Sequence, residues 1–194
     1  MTKTLYCIRH GTALHNIYFK KIGEMAYRRF KDTPLMHEGV NDVAKLRQNW
    51  DDINKIELVV VSPLSRTLST ADLLFKNKEV PILALDELLE FPQSYQRCNL
   101  RDTIGNLVRI YPRINFDNIE SNIDFNFIDE KREEKEEIKY LENRILDFKE
   151  WVIKRPENNI AVVGHSSYFN YMINCMVDDE TNELKHCHPY KISV

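Results

Sequence analysis

Two histidines, His10 and His165, stand far apart in the chain, yet each lies beside a glycine at the end of an apolar run. Thr4 to Ile8 leads into Arg9-His10-Gly11, and Ile160 to Val163 leads into Gly164-His165-Ser166. A third run, Glu57 to Val61, leads into Ser62-Pro63-Leu64-Ser65-Arg66-Thr67. A neutral imidazole is a nucleophile, and a guanidinium is a planar fork that grips two oxygens of an anion. Two histidines and two arginines together suit a phosphoryl group. Strand ends of this kind gather along one edge of a parallel sheet, where ligands bind. A helix opening after Val61 would add its unpaired N–H groups beside Arg66.

The elements that must position these residues follow from periodicity. Leu5 to His10 reads as a central parallel strand, apolar on both faces. Ile17 to Phe30 reads as helix, and Asp32-Thr33-Pro34-Leu35 as a turn. Glu38 to Trp50 reads as a helix with Val40, Val43, Ala44, Leu46 and Trp50 available for its inner face. Glu57 to Val61 is a second strand. Ser62 suits the N-cap and Pro63 the first position of the helix that follows. Val80 to Leu85 is a short third strand. Residues 86–128 form an irregular, substrate-facing insert with Pro92 and Pro112 as breakers. Asp129 to Trp151 is a helix with one stripe, Ile138, Leu141, Ile145, Phe148 and Val152; the charged run at its start is its solvated face. Ile160 to Val163 is a strand. Ser166 to Val177 is a helix burying Phe169, Met172, Ile173 and Met176. Leu184 to Val194 supplies an edge strand. Alternating strands and helices predict an α/β fold, a three-layer α/β/α sandwich around a mainly parallel central sheet, as a single domain over 1–194.

With 43% hydrophobic residues among 194, the chain can bury a real core. A net charge of −3 gives no global field for nucleic acid, so any anion site is local. Cys7, Cys98, Cys175 and Cys187 lack paired spacing and read as reduced thiols. No run reaches a membrane span and the N-terminus does not read as a secretory signal, so the expectation is a cytoplasmic protein with no membrane partner.

The patterns Arg9-His10-Gly11 to Asn16, Ser62-Pro63-Leu64 to Ala71, Pro34-Leu35 to Glu38-Gly39 and the later Gly164-His165-Ser166 together resemble the histidine phosphatase superfamily, the phosphoglycerate mutase-like family. The resemblance spans nearly the whole chain. It implies the α/β/α fold of that family, no metal or other cofactor, and a phosphohistidine intermediate. By position, His10 is then the nucleophile, and Arg9, Arg66 and His165 form the phosphate pocket. Asn16, Gly11 and Ser166 join the substrate-binding set. The proton donor falls in Leu88-Leu89-Glu90 and is Glu90, with Glu87 as the alternative. Cys98-Asn99-Leu100-Arg101 resembles a further family stretch with Asn in place of Asp, which makes Arg101 a candidate substrate contact. Ala13 and His15 depart from the pattern, and the longer insert resembling those of glycolytic mutases is absent.

The partner implied is a small phosphorylated substrate or a phosphoprotein. Phosphatase and mutase share the first step; the shorter chain favours phosphatase. A phospho-ligand binder without catalysis is a third reading, although binding alone needs no nucleophile. Metal hydrolysis is a fourth, prompted by His186-Cys187-His188, which reads more simply as an edge strand with polar residues outward. The arginines beside His10 should keep its imidazole neutral in the free protein. Phe91 to Asn118, with Tyr95, Arg97, Arg101 and Arg113, is placed to cover the pocket mouth.

Overall fold

The computed structural model describes residues 2–94, 96–124, 136–179 and 181–194. Six strands form one sheet in the order β4-β3-β2-β5-β1-β6: β1 (Thr4–Arg9), β2 (Leu58–Val61), β3 (Ile82–Ala84), β4 (Ile114–Asn115), β5 (Asn159–Gly164) and β6 (Pro189–Ser193). All pairs are parallel except β6, which runs antiparallel along β1. The predicted edge strand is therefore present. The strand β4 is an addition, too short and too polar to announce itself by periodicity.

Alternation along the central strands sorts their side chains into two cores. Tyr6, Ile8, Val59, Val61, Ala161 and Val163 pack toward one layer with α3 (His37–Asn49), α4 (Ser65–Leu74) and α5 (Ile104–Ile110). Leu5, Cys7, Leu58, Val60, Ile160 and Val162 pack toward the other, with α6 (Ile138–Ile153) and α7 (Ser166–Asn174). This is the three-layer α/β/α sandwich that the sequence predicts. Two further helices, α1 (Leu14–Ile22) and α2 (Met25–Arg29), follow β1 directly. No helix among the described residues is long and apolar enough to cross a membrane. The four cysteines are free.

Several local expectations change. In α3, Gly39, Val43 and Leu46 are buried, and Trp50 beyond its end is also buried, whereas Val40 and Ala44 are exposed. A shift of one residue is about 100° around a helix, enough to turn those two outward. The helix of Asp129 is described only from Ile138; its charged start over 129–135 lies outside the described residues. Ile138 is exposed, while Leu141, Ile145, Phe148 and Val152 are buried as the stripe predicts. Helix α7 ends at Asn174 because Cys175 adopts a left-handed conformation, and Met176 beyond it is exposed.

Candidate active site

The sheet order sets β5 between β1 and β2, so the three signature segments leave neighbouring strand ends. Arg9 pairs with Gly164 and Val61 with Val163 in register. The His10 amide donates to Gly164 O and the Ser62 amide to Val163 O, each at 3.0 Å. Backbone geometry alone thus brings the segments together, and the rings of His10 and His165 lie 5.4 Å apart.

Helix α4 starts later than the sequence suggested. Ser62 is not its cap: the first helical residue is Ser65, whose amide and hydroxyl are both bound by the Asp32 carboxylate at 2.8 Å. Ser62 instead faces His165, with 2.9 Å between its hydroxyl and Nε2. Arg66 then projects from the first turn of α4 between the two imidazoles.

Hydrogen bonds assign the histidine protons. His10 Nδ1 lies 2.8 Å from the carbonyl of Gly11, which can only accept. The ring proton therefore sits on Nδ1, and Nε2 keeps its lone pair, facing Arg66 Nε–H at 3.3 Å. His165 Nδ1 accepts from Arg66 Nη2 at 3.3 Å, so its proton is on Nε2 and points to Ser62. Burial, reinforced by Arg66 and the neighbouring imidazoles, holds His10 well below its usual pKa. Burial and Arg66 do the same for His165. His10 is thus neutral in the free protein, the state the sequence argument expected, with burial rather than the arginines as the larger cause. Arg66 is fixed from behind: Nη1 donates to Cys98 O at 2.7 Å and Nη2 to Asn99 Oδ1 at 2.8 Å.

Glu90 completes the cup. Its Oε1 accepts from the Phe91 amide at 2.8 Å, and Oε2 stands 3.8 Å from His165 Nδ1. Burial pushes its pKa up to about 7, against the pull of Arg66. A carboxyl near neutrality can both give and take a proton. Glu87, the alternative acid, has its pKa raised by burial beside Asp86 and Asp147, and its main-chain carbonyl accepts from Arg144. The geometry therefore brings Glu90, rather than Glu87, to His165.

The other predicted residues make contacts within the protein, and Arg9 also acts electrostatically on His10, His165 and Glu90. Arg9 is buried; its Nη1 donates to Glu183 Oε2 at 3.0 Å and to Leu184 O at 2.6 Å. Its Nε is buried with no partner among the described residues. Asn16 Oδ1 accepts from the Ala13 amide and so closes the start of α1. Gly11 makes a close approach within the protein: a Cβ there would meet Gly39 O at 2.7 Å. Ser166 accepts from the Leu184 amide at 2.7 Å and ties down the C-terminal loop. Arg101 is not a substrate contact. Its side chain is fully buried, paired with Asp86 through Nε and Nη2, and its remaining donors meet the carbonyls of Asp102, Ser121, Asn122 and Ile123. Tyr95 lies outside the described residues.

Two more imidazoles ring His10. His15, in the first turn of α1, lies 5.9 Å away, bonds Thr33 and packs on Tyr27. His186 lies 5.4 Å away, and its Nδ1–H donates to the His10 carbonyl at 2.6 Å. Reading residues 186–188 as an edge strand missed this. The strand begins only at Pro189, and a left-handed Cys187 turns His186 inward. The departure from the family pattern at His15 was the one available signal for the first; no periodicity marks the second. Among the described residues no group of three His, Cys, Asp or Glu is arranged to hold a metal.

The sequence comparisons agree with this geometry. A family model described as histidine phosphatase superfamily (branch 1) matches residues 5–194. A phosphoglycerate mutase-like protein of Arabidopsis thaliana is 27% identical over 216 residues, covering 94% of this chain and 78% of its own. A probable phosphatase of Schizosaccharomyces pombe is 27% identical over 168 residues, covering 84% of this chain and 74% of its own. Among solved structures, a putative alpha-ribazole-5′-P phosphatase from Escherichia coli superposes with a TM-score of 0.65 at 21% identity, covering 98% of this chain and 90% of that one. With strand ends, cup and family model in agreement, the chain belongs to the histidine phosphatase superfamily.

Proposed function

We propose that this protein is a phosphatase that hydrolyses a phosphate monoester through a phosphohistidine on His10. The carrying observation is the proton arrangement across the cup: an unprotonated His10 Nε2 beside Arg66, and a carboxyl with a pKa of about 7 beside His165. A ligand-binding module needs neither an unprotonated imidazole nitrogen nor a carboxyl that titrates near neutrality.

In the first step the Nε2 lone pair attacks phosphorus. The N–P bond forms as the bond to the ester oxygen breaks, and Glu90 gives its proton to that oxygen. Since Oε1 already accepts the Phe91 amide, Oε2 carries the proton. Arg66, braced on Cys98 and Asn99, releases the His10 lone pair and turns its Nε–H to the charge developing on the phosphoryl oxygens. In the second step water attacks phosphorus, its proton passes to Glu90, the N–P bond breaks, and inorganic phosphate leaves. Relatives named as phosphatase and as mutase-like both occur, and the two activities divide at this second step. The absence of the longer mutase-like insert favours water as acceptor.

A panel of phosphate esters, run on wild type and Glu90→Gln, tests the reading. In kcat/KM, which reports phosphoryl transfer to His10 and not the later hydrolysis common to all esters, alkyl esters should fall about 10² to 10⁴-fold on losing the acid, and aryl esters far less. Equal losses on both would remove Glu90 from this role. Isomerisation of 3-phosphoglycerate outpacing its hydrolysis would replace phosphatase by mutase.

A further inference from the structure

We infer that Arg144, clamped by Glu136, is a positioning residue that aims the Glu90 carboxyl, an inference that rests on Glu90 being the proton donor. Glu90 sits in an irregular loop, where no strand register fixes its backbone. Both peptide planes flanking its Cα are nevertheless held by side chains. The plane on its N-terminal side contains Leu89 O, which accepts from Arg144 Nη1 at 2.7 Å. The same nitrogen donates to Glu87 O at 2.9 Å. The plane on its C-terminal side contains Glu90 O, which accepts from Gln93 Nε2.

Arg144 and Gln93 are in turn joined through Glu136. Its carboxylate takes Arg144 Nε and Nη2, both at 2.9 Å, and the Gln93 amide at 2.9 Å. The Glu136 amide donates back to Gln93 O at 2.8 Å. The pair is largely shielded, with side chains 17% and 7% exposed. The guanidinium also lies over the ring of Tyr168, 5.4 Å from its centre. Tyr168 belongs to α7, which begins directly after His165. Arg144 therefore refers the Glu90 loop to the helix that carries the partner imidazole. Lysine could not do this: one ammonium cannot serve a carboxylate fork and two carbonyls in a plane.

A general acid must stand about 2.6 to 3.2 Å from the oxygen it protonates. Misplacement by about 1 Å costs about a hundredfold. The test uses Arg144→Met, with 4-nitrophenyl phosphate and an alkyl phosphate as probes. On the alkyl ester kcat/KM, which excludes the second step shared by both probes, should fall about 10- to 100-fold, and on the aryl ester less than about threefold. In a Glu90→Gln background the same substitution should add almost nothing on the alkyl ester. Equal losses on the two probes, or a full multiplicative loss in that background, would overturn the inference and leave Arg144 as a general stabiliser. Should Arg144→Met not fold, Glu136→Gln, which weakens the fork but keeps Arg144, must show the same split in smaller measure. If Glu90→Gln itself shows no split, Glu90 is not the acid and this inference falls with it. If Glu90→Gln splits and Arg144→Met does not, only the positioning role is lost.

Discussion

The two halves of the candidate site are built in different ways. His10 and His165 stand at the ends of adjacent strands, where sheet register sets their rings 5.4 Å apart, and Arg66 reaches between them from the first turn of the helix after a third strand. Glu90 comes from the irregular stretch after β3, and side-chain hydrogen bonds hold it there. The first half is as rigid as the sheet, whereas the second depends on a few polar contacts. The two imidazoles are thus set by the core, whereas Glu90 is held by side-chain contacts.

The sharpest way to break this contrast is to remove one member of each half. Arg66→Ala takes the guanidinium from between both imidazoles and should cost about 10² to 10³ in kcat. That loss should be similar for alkyl and aryl esters, because Arg66 acts on the phosphoryl oxygens rather than the leaving group. A strong dependence on leaving group would blur the division. Glu90 should show its role in the pH profile. Its raised pKa of about 7 means that alkyl-ester kcat/KM, which reports the free protein, declines as pH rises through that value, since the acid loses its proton. In Glu90→Gln that limb should vanish; a persistent limb would assign the titration to another group.

Stability extends the comparison. Asp86→Ala strips the carboxylate from buried Arg101, the strut of the insert, and should destabilise the fold by about 3 kcal/mol in denaturant unfolding. A change under about 0.5 kcal/mol would show that the carbonyls alone suffice for Arg101. Glu90 should act in the opposite sense. Its folded pKa lies above its unfolded one, so the favourable contribution of its proton is complete at acid pH and is lost as pH rises through about 7. Glu90→Gln should therefore melt higher than wild type at pH 8, and the gain should disappear near pH 4. A pH-independent difference would mean that burial does not control this carboxyl.

The same division governs what the sequence could reveal. The strands were legible because apolar runs covered on both faces have no other reading, and His10, Arg66 and His165 follow from where those runs end. The start of α4 differs from the expectation because the carboxylate that binds its first residue, Asp32, comes from a distant turn, whereas Ser62 serves His165. Arg101 looked like a ligand contact because sequence cannot tell an exposed arginine from one enclosed by carbonyls. His186 escaped notice because a single left-handed residue, Cys187, undoes the alternation that strand reasoning assumes. Glu90 was identified through family resemblance; its raised pKa comes from three-dimensional burial, which no local pattern records.

On the proposed mechanism His10 carries the phosphoryl group. Rapid quenching during turnover of a 32P-labelled ester should trap protein-bound phosphate that is acid-labile and alkali-stable. The label should map to His10 and be absent from His10→Ala. Hydrolysis at full rate with no trapped label, or a label that persists in His10→Ala, would contradict the account.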